Sequence, residues 1–268
     1  MDGLNSLGWR EKPASPFPAH LKITGAMSVP RTGFSDNYLC ASRVFHNLNI
    51  QLKGGGGVFW EKSSTALLQS AVDRKDDYIV FVDYDSLFDE DQLTELISIM
   101  EREKFDAVFP VQIQRNSPLI LMTPYDKNAV IDLNQPYTRA QTGHFGLTIL
   151  RCSAVGRIPH PWFINTPNME GMWADGPGRA DADIGFWCMA NYCGLAVYQA
   201  NYVRIGHMEL TVTWPTRTGK ICRHVEEFNS CGVPPQAKEI PSLEQAGGVS
   251  GVTSSASPPG ILEESRCG

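Results

Sequence analysis

Short apolar runs alternate with stretches of helical periodicity through the first half of the chain. Leu21–Met27 reads as a strand, Ser35–His46 as a helix with Ser35 or Asp36 as its cap, and Leu48–Leu52 as a short strand. The glycine run Gly54–Gly57 reads as a flexible break. A helix over Trp60–Val72 follows, then a buried strand at Tyr78–Asp83. The best-marked element comes next. Asp89 is placed to cap it, with Gln92 three residues on as in a capping box, and Leu93, Leu96, Ile97 and Met100 share one face. Ala107–Ile113 reads as another strand. This alternation predicts an α/β fold: a Rossmann-like single domain with a mostly parallel central sheet and helices on both faces. Beyond residue 115 the pattern loosens into shorter strands, loops rich in Pro and aromatics, and one more helix at Ala180–Gly194.

The ends carry no such pattern. Residues 1–20 read as an irregular lead-in. Residues 241–268 are rich in Gly, Ser and Pro and contain no aromatic residue, so they are expected to be disordered. The expected domain is therefore 21–240, without internal repeats. A chain of 268 residues that is 42% hydrophobic is long enough for a sizeable core. No apolar run approaches the roughly 20 residues that span a bilayer. Met1–Leu4 lacks the basic and apolar regions of a signal peptide. The seven cysteines form no Cys-x-x-Cys, which argues against structural zinc and for reduced thiols in a cytoplasmic protein. A net charge of −6 argues against a dedicated nucleic-acid binder, although part of that charge is the acid content of the candidate site.

Ligands in open α/β sheets bind outside the carboxyl ends of the strands. There the apolar run Tyr78–Val82 ends in Asp83-Tyr84-Asp85. Two carboxylates at i and i+2 of extended chain face one side and repel unless a cation or a set of donors lies between them. Hard divalent ions such as Mg²⁺ or Mn²⁺ take such oxygen ligands, often together with substrate phosphates. The plain alternative is a solvated strand end, where Asp is common.

With the following Phe88-Asp89-Glu90-Asp91-Gln92-Leu93, this stretch resembles the DxD region of GT-A-type nucleotide-sugar glycosyltransferases, family-2-like, of the bacterial and phage type. Further stretches match in the expected order. Gln141–Arg151 resembles the glycine-rich turn and strand after the metal site. Ile158–Phe163 resembles a Pro/Trp/Phe segment of phage and bacterial members. Asp181–Trp187 followed by Gly194–Tyr198 resembles the acidic helix segment, and Arg204–His207 the strand ending in a metal-binding His. Ser28–Gly33 matches the nucleotide-facing first loop loosely.

The resemblance implies a GT-A fold and a metal-dependent glycosyltransferase. The donor would be a nucleoside-diphosphate sugar, UDP being the commonest nucleotide, and the acceptor a hydroxyl on a glycan, a protein or a modified phage DNA base. It implies Asp85, Asp83 and His207 as ligands of Mn²⁺ or Mg²⁺, with imidazole favouring Mn²⁺. Pro30, Arg31, Asp83, Tyr84, Asp85 and His144 would contact the donor. Asp183 would be the general base of an inverting transfer, with Asp181 as a displaced second carboxylate. The chain departs from the family at Ala182, where an acid is usual, and at Gly185, where Asp is usual.

Each residue also has a structural alternative. His207 would bond to nearby backbone at a strand end. Asp183 would serve the dipole of its helix N-terminus. Trp162, Phe163, Trp173 and Trp187 stack on sugars or fill the core. Arg217, Lys220, Arg223 and His224 form a basic cluster that is either a lid over the diphosphate or a solvated surface. Three other functions compete. A haloacid-dehalogenase-type phosphatase also begins with a strand and Asp-x-Asp, but near the N-terminus. A sugar nucleotidyltransferase needs a basic glycine loop after the first strand. An inactive GT-A-like domain would bind nucleotide sugar or glycan without turnover.

Overall fold

The structure, a computed structural model, describes residues 8, 14–30, 33–57, 59–115, 118–164, 181–216 and 219–238. The expected tail 241–268 and most of the lead-in lie outside these residues. The chain divides into two compact units, Met1–Glu209 and Leu210–Gly268.

The first unit begins with Ile23–Val29 (β1), Ser35–Asn47 (α1), Gln51–Gly56 (β2), Trp60–Asp73 (α2) and Tyr78–Val82 (β3). Ser86–Leu87 (β4), Glu90–Glu103 (α3), Ala107–Val111 (β5), Thr123–Pro124 (β6) and Tyr137–Thr142 (β7) follow. Leu147–Arg151 (β8), Cys152–Val155 (α4), Ala182–Tyr192 (α5), Val197–Arg204 (β9) and Gly206–His207 (β10) complete it. Eight strands form one mixed sheet in the order β2-β1-β3-β8-β5-β9-β7-β6. Six strands point the same way, and β7 and β8 run against them. This is the α/β, mostly parallel architecture that the strand–helix alternation predicts.

The central strands are buried on both faces, which is why they read as unbroken apolar runs. Ile79 and Phe81 point into a core shared with α2, α4 and α5, while Tyr78, Val80 and Val82 point into the opposite core with α1 and α3. The first of these cores is aromatic. Phe145 and Trp187 stack with ring centroids 4.9 Å apart, as do Phe163 and Phe186. Trp60 packs edge-on against both Phe145 and Phe163. Such pairs are each worth about 0.5–1.5 kcal/mol beyond area burial. Phe163 and Trp187 therefore serve the core, and Trp162 is buried with its indole N–H on the Ile158 carbonyl.

Two boundaries move for identifiable reasons. Leu48 and Asn49 turn the chain out of α1, Asn49 at φ 54°, so β2 begins at Gln51 rather than Leu48. The expected glycine break instead continues β2, with Gly54, Gly55 and Gly56 paired to Met27, Ser28 and Val29. Ladder bonds need no side chains. At Gly55 a Cβ would stand 2.9 Å from Leu67 and 3.1 Å from Ser63, so the missing side chain is what lets α2 lie on the strand.

The capping box of α3 forms on both sides. Asp89 Oδ1 accepts the Gln92 N–H at 2.9 Å, and Gln92 Oε1 accepts the Asp89 N–H at 2.9 Å. The Gln92 amide also donates to the Arg204 carbonyl at the end of β9, tying the helix start to the late strand.

The second unit holds an antiparallel hairpin, Thr211–Thr216 (β11) with Gly219–His224 (β12), then Val225–Cys231 (α6) and Pro235–Lys238 (α7). Lys220, Arg223 and His224 lie on β12, and Arg223 pairs with Glu227 at 3.3 Å. Arg217 lies outside the described residues.

Asp89→Ala removes one half of the capping box and is expected to cost about 1 kcal/mol. Urea unfolding would show this as a lower midpoint at unchanged slope; an unchanged midpoint would mean the cap contributes nothing.

Candidate functional site

The carboxyl ends of β1, β3, β5 and β9 and the start of antiparallel β8 meet at one edge of the sheet. Asp83 leaves β3 there, and its amide N–H reaches the Gly146 carbonyl at 3.4 Å. The turn Tyr84–Asp85 then enters β4. Asn37 on α1 holds that turn from below. Its buried amide donates to the carbonyls of Asp83 at 3.0 Å and Ser86 at 2.6 Å.

β4 pairs antiparallel with β10, placing Ser86 opposite His207 and Leu87 opposite Gly206. The Met208 N–H closes the pair on the Asp85 carbonyl at 2.7 Å. Gln112, buried just after β5, locks both sides by donating to Ser86 Oγ at 3.0 Å and to the Gly206 carbonyl at 3.2 Å. This packing leaves no room for a side chain at Gly146. A Cβ there would stand 2.5 Å from Gln112 Oε1, 2.7 Å from Ser86 Oγ and 2.9 Å from His144 Nδ1.

The result is a close pair of donors. His207 Nε2 lies 3.3 Å from Asp85 Oδ2. His207 Nδ1 lies 2.7 Å from the Ile113 carbonyl, an oxygen that only accepts, so Nδ1 carries the proton. In the neutral ring the Nε2 lone pair then faces a carboxylate oxygen, and in the imidazolium an Nε2–H donates to it. Two lone pairs so placed need a proton or a cation between them. A backbone carbonyl fixing the outer nitrogen is the arrangement found behind metal-binding histidines. Ligands at adjacent positions of a six-coordinate ion with bonds of about 2.0–2.2 Å stand about 3 Å apart. The oxygen–nitrogen donor set thus fits Mn²⁺ or Mg²⁺, with imidazole favouring Mn²⁺. Among the described residues no three His, Cys, Asp or Glu side chains converge as a ready-made metal cluster.

The electrostatics follow from burial. Asp85 is only 4% exposed. Burial alone would raise its carboxyl pKa, but the hydrogen bond with His207 and the charge of Arg115 outweigh it and hold it below the usual range. His207 is raised, first by its bond to Asp85, with burial opposing. Asp83 is pushed up to about 7 by burial and then by the charge of Asp85, with Asp183 adding and the Trp60 hydrogen bond opposing. That bond, Trp60 Nε1–H to Asp83 Oδ1 at 3.0 Å, joins the carboxylate to the aromatic core.

The remaining candidates fall in different places. Pro30 and Tyr84 line a cleft of about 260 Å³ with Met27, Val29, Phe34 and Asn37. Arg31 lies outside the described residues, as does Trp173. Asp181 is the N-cap residue of α5 and is exposed. Asp183, in the first turn, accepts the Ile184 N–H at 2.8 Å. Burial raises its pKa, with its backbone bond opposing and the charge of Asp181 adding. At Gly185 a Cβ would come 3.2 Å from the Ile164 carbonyl, a tight contact. His144 is buried with both ring nitrogens on backbone: Nδ1 accepts the Gly146 N–H at 3.0 Å and Nε2 donates to the Pro110 carbonyl at 2.9 Å.

Four residues of the site carry no sequence signal strong enough to single them out: Asn37, Trp60, Gln112 and Arg115. Arg115 donates to Asp85 Oδ2 and approaches His207 Nε2 at 3.3 Å and the Tyr84 hydroxyl at 3.5 Å. Each acts through tertiary contact, and a lone Asn, Trp, Gln or Arg has no diagnostic spacing.

No family model and no curated protein matches this sequence. Solved structures similar to it include A197 from STIV, at 13% identity over 69% of this chain and 85% of that one (TM-score 0.48). GalNAc-T7 with UDP, GalNAc and Mn²⁺ is similar at 11% identity over 70% of this chain and 43% of that one (TM-score 0.45). The mannosyltransferase PcManGT from Pyrobaculum calidifontis, with GDP-Man and Mn²⁺, is similar at 13% identity over 76% of this chain and 62% of that one (TM-score 0.42).

Burial lowers the His144 pKa to about 4, with the Pro110 bond opposing and the His207 charge adding. An unfolded imidazole titrates near 6.5, so the folded state binds this proton less well. The stability His144 contributes is complete above about pH 6.5 and falls away toward pH 4, by up to about 3 kcal/mol. Asp83, raised to about 7, contributes the opposite slope over the same window, so the His144 share is read as a difference: in urea unfolding at stepped pH, His144→Gln is expected to gain on the unchanged protein as pH falls from about 6.5 toward about 4. A stability difference between the two proteins that stays constant with pH would reassign the proton elsewhere.

Proposed function

We propose that this chain is a metal-dependent, GT-A-like glycosyltransferase that moves a sugar from a nucleoside-diphosphate donor, UDP-sugar first, to an acceptor hydroxyl. The observation that carries the proposal is the facing pair of Asp85 Oδ2 and His207 Nε2, 3.3 Å apart at the carboxyl edge of the sheet, with the outer nitrogen bonded to the Ile113 carbonyl. Asp85 and His207 would hold Mn²⁺ or Mg²⁺, with Asp83 beside them sharing the ion or holding the ribose. Bound there, the ion would supply Lewis-acid neutralisation of the leaving diphosphate, worth several kcal/mol.

The chain's own residues supply the rest. The cleft lined by Val29, Pro30, Phe34 and Tyr84 is suited to a flat base, with Arg31 nearby in sequence. Asp183, raised by burial, is suited to accept the acceptor proton, in an inverting transfer with Asp181 as the neighbouring carboxylate. His144 holds the Gly146 turn behind the donor site. The domain would be 21–240 and its setting cytoplasmic; no helix among the described residues is long and apolar enough to cross a membrane. Ala182 and Gly185, which stand where the family carries acids, favour a second reading, a nucleotide-sugar-binding domain without turnover.

A panel of nucleotide sugars with Mn²⁺, read by release of nucleoside diphosphate, tests the proposal. Asp85→Asn is expected to lower the rate at least ~10²-fold. Asp183→Asn is expected to lower transfer ~10²–10⁴-fold while donor affinity is kept. Full activity in Asp85→Asn would overturn the metal assignment, and donor binding without turnover across the panel would favour the second reading.

A further inference from the structure

Arg115 is the unexplained cation of this site. It stands on the loop after β5, within the span closed by the bridge between Ile113 and Ile120. Its side chain is 39% exposed, whereas the Asp85 side chain it touches is 6% exposed. Among the described residues its guanidinium contacts fall within the site: Asp85 Oδ2, His207 Nε2 at 3.3 Å and the Tyr84 hydroxyl at 3.5 Å. The two acceptors it takes first are the same two atoms that face each other as donors for an ion.

We propose that Arg115 is a resident counter-cation that occupies the metal position of the unloaded site, so that a divalent ion binds only by displacing it and Arg115 thereby sets the metal affinity. This rests on the reading of Asp85 and His207 as the metal pair. A buried carboxylate without a positive partner is costly, and Asp85 cannot retreat because its carbonyl is held by Met208 and its turn by Asn37. Arg115 can retreat. Its guanidinium is already partly in water, at the end of a long, flexible side chain. A guanidinium and a divalent ion held on the same carboxylate oxygen repel each other, so Arg115 opposes the ion for as long as it stays in place. The exchange keeps Asp85 paired throughout, so the site stays formed while the ion is away. It also keeps the imidazole lone pair directed inward before an ion arrives.

The test is Mn²⁺ binding to the full chain without nucleotide, read by loss of the free-ion signal in electron paramagnetic resonance. Arg115→Gln keeps a polar amide on a shorter side chain but removes the charge, and is expected to bind Mn²⁺ about tenfold more tightly than the unchanged protein. Arg115→Lys, which keeps the charge but lacks the planar fork of donors, is expected to fall between them. Asp85→Asn is expected to abolish binding in either background. Thermal unfolding gives a second readout: metal-free Arg115→Gln should melt lower, and Mn²⁺ should raise its midpoint more than that of the unchanged protein. Equal or weaker Mn²⁺ affinity in Arg115→Gln, with binding still lost in Asp85→Asn, would overturn the role of Arg115 alone. Mn²⁺ binding indifferent to Asp85→Asn would instead overturn the metal pair.

Discussion

The site depends on one short piece of antiparallel pairing, β4 with β10. Two residues on each side, closed by the Met208 N–H on the Asp85 carbonyl, bring together segments 122 residues apart. A ladder this short is weak by itself. Its neighbours make it stable: Gln112 bonds to both strands, Asn37 holds the turn before β4, and the Gln92 amide holds the end of β9. Gly146 has no side chain because these groups fill the space a Cβ would need. Each contact is worth about 1 kcal/mol net, but an orphaned buried partner would cost more. The network is therefore conditional on all of its members.

The second constraint is charge. Asp83, Asp85 and Asp183 gather at one sheet edge, and burial alone would push all three toward the neutral form. The protein answers differently at each. Asp85 has Arg115 and His207 and stays ionised. Asp83 has the Trp60 N–H and the charge of His207 against burial and the repulsion of Asp85, and is pushed up to about 7. Asp183 leans on its own helix start. On the proposed reading, one carboxylate kept ionised beside two whose pKa values are raised would suit a cation and proton transfer together.

The aromatic residues show how the fold and the site share material. Trp60 belongs to the packed cluster with Phe145 and Phe163, yet its indole N–H is the hydrogen bond on Asp83. Phe163 and Trp187, candidates for sugar stacking when read as composition, are spent on the core instead. Aromatic residues near acidic motifs are ambiguous in a sequence because burial and ligand contact favour the same side chains.

Local periodicity was enough to place the helices of the first half, the capping box at Asp89 and Gln92, the apolar strand before Asp83, and the α/β class. Each is written in neighbouring residues, where propensity and burial act over a few positions. The acidic pair was legible for the same reason, whereas His207 stood out through family resemblance, not through its own spacing. What only the tertiary structure decided is long-range. Examples are the insertion of antiparallel β8 between β3 and β5, the use of Gly54–Gly56 as strand, the fit of β10 against β4, and the arrival of Arg115 on Asp85. No residue announces these alone, because pairing across more than a hundred positions is set by the whole core closing at once, and a charge finds its partner only after that closure.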